Sequence, residues 1–156
     1  MAANADLIIL SAVIDGAQAN AGAGTGSLGS GAATMTLDTD TNEFAWFIAW
    51  QNLSAPVTVA HFHGPALPNQ NAGVQVDFLT IAPGNPSFGS TTINNAQAAD
   101  LLAGLWYINI HTTLFPGGEI RGQVGRFTAT VPEPGTLALL GIGLLGMAAA
   151  RRRRKV

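Results

Sequence analysis

Apolar and polar residues alternate with a period of two through most of the chain, which predicts strands that pack on one face. Leu7 to Val13 is an apolar run suited to a buried first strand. Met35 and Leu37 then share one face of a strand, with Thr34 and Thr36 on the other. A turn at Asp38-Thr39-Asp40-Thr41-Asn42 leads into an aromatic-rich strand from Glu43 to Gln51. Phe44, Trp46, Ile48 and Trp50 line one side of it, and Phe47 on the opposite side predicts cover on both faces. Strands over 56–64, 74–81, 105–111 and 119–127 bring the expected number to about seven. Loops are expected over 19–31, 67–73 and 82–91, where Gly, Pro, Ser and Asn dominate. Asn94 or Asn95 caps a short helix that runs to Ala103, with Gly104 as its stop. The expected fold is an all-β antiparallel β-sandwich with one short helix, plus a hydrophobic helix at the C-terminus.

The segment 107–123 concentrates the polar alternation. Tyr107, Asn109 and His111 share one parity, as do Glu119, Arg121 and Gln123, while Ile108, Ile110, Ile120 and Val124 take the other. A parity-preserving hairpin pairs His111 with Glu119, Asn109 with Arg121 and Tyr107 with Gln123. One face of this hairpin packs and the other carries chemistry.

Composition narrows the class. The 156 residues allow one domain with short appendages, and with no Cys there is neither a disulfide nor a thiolate site. Over residues 1–131, six Asp and two Glu stand against two Arg, a balance of −6. Over 132–156, one Glu stands against four Arg and one Lys, a balance of +4. The acidic body with its two separated arginines argues against nucleic acid as a partner, since phosphate neutralisation needs a basic face. The basic density sits at the end of the chain, where it suggests a membrane.

Fourteen apolar residues, Leu137 to Ala150, precede Arg151, Arg152, Arg153, Arg154 and Lys155. As a helix they span about 21 Å against a hydrocarbon core of about 30 Å, and snorkelling arginine stems extend the reach. The basic cluster is a stop that stays on the cytoplasmic side and leaves the acidic body outside. Pro132-Glu133-Pro134, the short hydrophobic helix and the Arg-rich end closely resemble the PEP-CTERM sorting signal of Gram-negative bacteria. That resemblance implies export and an inner-membrane-anchored precursor. It also implies recognition by an exosortase-type enzyme, cleavage near 132–134, and release to the cell surface or extracellular space. A plain C-terminal anchor predicts the same topology without cleavage. Ala3-Asn4-Ala5 has the A-x-A form of a signal-peptidase site, so residues 1–6 read as the remnant of an export signal or a start.

Only three histidines occur, in two blocks: His61-Phe62-His63-Gly64-Pro65-Ala66 and Asn109-Ile110-His111-Thr112. Together with Pro116-Gly117-Gly118-Glu119-Ile120-Arg121-Gly122-Gln123 and the 99–104 segment, these blocks resemble the signature of the CHRD domain, found in chordin and in secreted bacterial proteins. The resemblance covers roughly 7–126 and assigns 7–130 to that domain, with 131–156 as the sorting or anchor tail. It implies an immunoglobulin-like or superoxide-dismutase-like sandwich and leaves the biochemical role open.

On a strand, His61 and His63 project from one face about 6.6 Å apart at Cα. His111 can complete a three-histidine Cu or Zn site, with Glu119 as a fourth ligand or an outer carboxylate. Asn109, Thr112 and Arg121 then act as supporting groups. The alternative is that the histidines bond backbone carbonyls and fix a corner of the sandwich without metal. One parity is awkward. His61 and His63 share a face with Val57 and Val59, which should turn inward, whereas His111 shares a polar face; a bend at Gly64-Pro65 or a strand-end position would reconcile them. The spacing Asp38, Asp40, Asn42 resembles the start of a calcium loop, but Glu43 and Ala49 occupy its Gly and Glu positions, and a solvated turn accounts for it better. No nucleophile triad, phosphate loop or spaced carboxylate pair stands out. Two functions follow: an exported, non-enzymatic binding module for the surface or matrix, with a polysaccharide or matrix protein as partner, or a copper or zinc protein with a superoxide-dismutase-like redox role.

Overall fold

The computed structural model describes residues 6–127; the Ala3-Asn4-Ala5 site, the Pro132-Glu133-Pro134 motif, the apolar tail segment and the basic stop at 151–155 lie outside them. The elements run β1 (Leu7–Asp15), β2 (Ser30–Asp38), β3 (Glu43–Gln51), β4 (Val57–His63), β5 (Val74–Val76), α1 (Phe78–Ile81), β6 (Ser87–Thr92), α2 (Asn95–Leu102), β7 (Tyr107–Thr112), β8 (Ile120–Gln123) and β9 (Gly125–Arg126). The architecture is all-β and antiparallel, as the alternation predicts.

The strands form one hydrogen-bonded path in the order β5-β4-β7-β8-β1-β2-β3-β6, with β9 also on β1. A single β1–β8 pair, Asp15 with Arg121, joins two halves. The path curls there so that the halves pack against each other. The alternating residues of β3 meet those of β4: Phe44 lies 5.0 Å from Phe62, and Trp46 lies 6.0 Å from Phe62, both edge to face. Trp106 and Phe78 close the cluster, and all five rings are buried. Each large apolar side chain so buried contributes about 1.5–3 kcal/mol, which makes this interlock the main cohesion between the halves.

Several expectations are corrected. β1 is covered on one face only: Leu10, Ala12 and Ile14 are buried, whereas Leu7, Ile9 and Val13 are exposed. Phe47 on β3 is likewise open to solvent and faces exposed Phe88 across the β3–β6 pair. The stretch expected as a strand over 74–81 is β5 followed by a turn of helix, because Asp77 caps that turn by accepting from the Thr80 amide at 3.0 Å and its hydroxyl at 2.7 Å. The loop expected over 82–91 contains edge strand β6, which the low apolar content of Ser87–Thr92 conceals and the β3 edge templates. The arm expected over 119–127 breaks into β8 and β9, with Val124 buried between them. Helix α2 lies where expected, and Asn94 and Gln97 form a reciprocal capping box at its start. At the 38–42 turn the Asp38 carboxylate accepts from the Thr41 and Asp40 amides, which lowers its pKa and shapes the hairpin turn.

Candidate metal centre

The polar face of the sheet assembles from three strands. β4 pairs with β7 so that Val59 lies opposite His111, His61 opposite Asn109 and His63 opposite Tyr107. β7 pairs with β8 so that Asn109 lies opposite Arg121 and Tyr107 opposite Gln123, the register expected from parity. Directly paired residues share a face, so all three histidines project on one side. The awkward parity is resolved by Ala60 and Phe62, which are the β4 residues turned into the core. Val59 lies on the histidine face, whereas Val57, opposite buried Thr112 and beyond a register shift, packs against the core as expected, so no bend at Gly64-Pro65 is needed to bring the rings together.

The ring centroids of His61, His63 and His111 lie 5.3–5.9 Å apart, and one nitrogen from each lies within 4.8 Å of the others. Nitrogens around a tetrahedral Zn or Cu sit about 3.3 Å apart, given metal–nitrogen bonds near 2.0–2.1 Å. An ion at this position would need the more widely separated nitrogens to draw closer.

Hydrogen bonds set which lone pairs are available. His63 Nδ1 lies 3.0 Å from the Ala72 carbonyl, and His111 Nδ1 lies 2.8 Å from the Pro116 carbonyl. A carbonyl only accepts, so each Nδ1 carries the proton and each Nε2 offers a lone pair. The His63 Nε2 is buried and has no partner, as is the His61 Nδ1. His61 Nε2 faces the Asp77 carboxylate at 4.0 Å, beyond hydrogen-bond length but close enough to favour a proton on that nitrogen. The Asn109 amide donates to His111 Nε2 at 3.2 Å and to the Gly117 carbonyl at 3.1 Å, so a metal on His111 would displace the first of these bonds.

Burial lowers the pKa of His61, offset in part by Asp77 and reinforced by His111. Burial likewise lowers that of His63, offset in part by the Ala72 carbonyl and reinforced by the other histidines and Arg121. Both rings are thus kept neutral at pH 7, the form that binds metal. Behind His63, the Tyr107 ring stacks at 5.0 Å and 7°, and the Arg121 guanidinium lies 3.5 Å over the other ring, Tyr107. The Tyr107 hydroxyl accepts from the Ala72 amide, so one loop residue positions both rings.

Glu119 is not brought to the histidines. It is fully buried, and its carboxylate accepts from Ser27 Oγ and the Ser54 amide, each at 2.6 Å, and from Thr112 Oγ1 at 2.8 Å. The β7–β8 ladder stops at Ile110 and Ile120. Gly118, at φ +115, then turns the chain where any Cβ would overlap the Asn109 amide. This turn takes Glu119 off the polar face to Thr112, which acts as its partner and not as a neighbour of the histidines. Asp77 and Tyr107 are the site neighbours that the motif blocks do not reveal. The Asp-x-x-Thr cap at 77–80 was a readable signal for the first, but only the fold places it at His61.

Two family models match the chain: the CHRD domain over residues 10–124, and the PEP-CTERM protein-sorting motif over residues 130–154. No curated protein and no solved structure matches it.

Proposed function

The chain belongs to the CHRD domain family and carries an exosortase-type sorting motif, and from that premise we propose that it is an exported module whose three histidines bind one divalent copper or zinc ion. The motif implies a membrane-anchored precursor bound for the cell surface. The observations that carry the metal reading are the convergence of one ring nitrogen from each histidine and the presence in the cluster of two buried nitrogens, His61 Nδ1 and His63 Nε2, that lack any hydrogen-bond partner. Buried polar atoms are rarely left unpaired in folded proteins, and a cation would satisfy both at once. Three histidines leave a fourth coordination position open, so such an ion could bind or activate a further ligand.

The test is metal analysis of the full chain produced with copper and zinc present. About one ion per chain is expected, with a melting temperature that rises on metal addition because the ion binds only the folded state. The double variant His61→Ala, His111→Ala should lose both effects. Metal-free protein with unchanged melting would sink the proposal. Release near Pro132-Glu133-Pro134 is a separate element of this reading, supported by the sorting motif. The intact mass of protein recovered outside exosortase-bearing cells checks it: a retained tail refutes cleavage. A matrix role without metal is the second reading, favoured by the acidic, low-charge body.

A further inference from the structure

A second site adjoins the histidine cluster. Arg121 is 2% exposed, yet it has no carboxylate within ion-pair distance among the described residues. Its guanidinium donates only to neutral acceptors at long range: Asn71 Oδ1 at 3.2 Å, the Leu67 carbonyl at 3.3 Å and Gln123 Oε1 at 3.4 Å. The nearest acidic group in sequence, Glu119, is committed to Ser27, Ser54 and Thr112. A buried, permanently charged group with neutral partners is incompletely compensated.

The same side chain lines a cavity of about 480 Å³ between the 20–25 loop, Asn71 and the 114–118 loop. Thr25, Asn20 and Asn109 add hydroxyl and amide groups to its wall, and Phe115 and Pro116 add an apolar side. Both side-chain hydrogen bonds of Asn109 use its amide nitrogen, which leaves Oδ1 without a partner among the described residues.

We propose that this cavity binds a carboxylate-bearing sugar, a uronic acid, with its carboxylate on the Arg121 guanidinium. The planar fork of arginine matches a carboxylate. Amides and hydroxyls match ring hydroxyls, and the apolar wall matches the C–H face of a sugar ring. A single buried positive charge within a body of balance −6 suits a monoanion and disfavours a phosphate dianion. This site goes beyond the histidine ion and does not require it, although Asn109 and Pro116 border both.

The test uses the full chain in mild detergent, stripped of metal beforehand so that an ion at the histidines cannot hold the carboxylate. Backbone amide shifts are followed by NMR during titration with D-glucuronate, with D-glucose as the neutral isostere and a tri-galacturonate as the chain form. Glucuronate should shift the amides of the 114–118 loop and Arg121, and glucose should bind at least about tenfold more weakly. A tighter trimer assigns the site to a polysaccharide chain, and equal binding assigns it to a single sugar. Gly117→Phe supplies the decisive variant. A Cβ there meets nothing within 4 Å, so a side chain at this cavity-lining position starts in open space. It should weaken glucuronate binding at least about tenfold while leaving the melting temperature unchanged. No response at tens of millimolar glucuronate, an equal response to glucose, or an unaltered response in Gly117→Phe would overturn the proposal.

Discussion

Glu119→Gln separates a structural carboxylate from a metal ligand. In the wild type, Glu119 Oε1 accepts from Ser27 Oγ and the Ser54 amide, and Oε2 accepts from Thr112 Oγ1. These bonds tie the 27–29 turn and the chain after β3 to the end of β7. The amide of Gln can keep its oxygen on the two Oε1 partners, but there each bond loses its charge assistance, about 1 kcal/mol apiece. Its NH2 group must face the Thr112 hydroxyl, which can no longer donate, for roughly 1 kcal/mol more. The sum is a loss of about 2–3 kcal/mol, and Glu119→Ala, which strands all three donors, should cost about 4 kcal/mol or more.

The assay is urea denaturation of metal-free protein at pH 7, where the midpoint should fall with an unchanged slope. The pH dependence follows from the sign of the shift. Desolvation raises the Glu119 pKa, but the hydrogen bonds from Ser27, Ser54 and Thr112 outweigh it, and the folded-state value lies below the ordinary 4.5. The stabilisation is therefore complete above pH 4.5 and disappears as pH falls through the lower folded-state value, so the gap between wild type and Glu119→Gln should close there. Metal stoichiometry in Glu119→Gln should match the wild type. A variant within about 0.5 kcal/mol of wild type, or one that loses its metal while remaining folded, refutes the reasoning.

Three further outcomes are expected. Metal occupancy should be level above about pH 6.5 and decline below it, because burial lowers the pKa of His61 and His63 and confines proton competition to more acidic solution; a titration with a metal-selective dye at graded pH checks this. Asn94→Ala removes the side-chain half of the α2 capping box and should cost about 1 kcal/mol in urea denaturation. Gly64→Ala places a Cβ 2.5 Å from Trp106 Cδ1 and should lower stability by about 1–3 kcal/mol, read together with a change in tryptophan fluorescence.

Much of the site was legible before the fold. The hairpin register followed from parity alone, since side chains alternate and a slip of one residue would bury Asn109 and Arg121 on the core face. The two histidine blocks contain the three side chains that the fold brings together. Their common face was obscured because Val57 packs inward while the register shift before Val59 swaps the parity, and a period-two pattern does not say which parity is then inside. Ala60 and Phe62 decide that by packing on the opposite half-sheet. Edge strand β6 was hidden for a related reason: Ser87–Thr92 gains its order from the β3 edge and not from its own apolar content.

By itself, the sequence determined the all-β class, the antiparallel hairpins, the capped helix, the family and the sorting tail. Each rests on local alternation, local caps or contiguous motifs, which need no knowledge of distant neighbours. The tertiary structure alone decided where Glu119 goes, which nitrogens of the histidines are bare, and that Arg121 borders a cavity without a carboxylate partner. Those facts depend on residues 27, 54, 71, 72 and 77, far away along the chain, and on a turn at Gly118 that lifts one carboxylate off the polar face. Side-chain alternation holds only while a ladder continues, and this ladder ends at Ile120, one residue short of reaching Glu119.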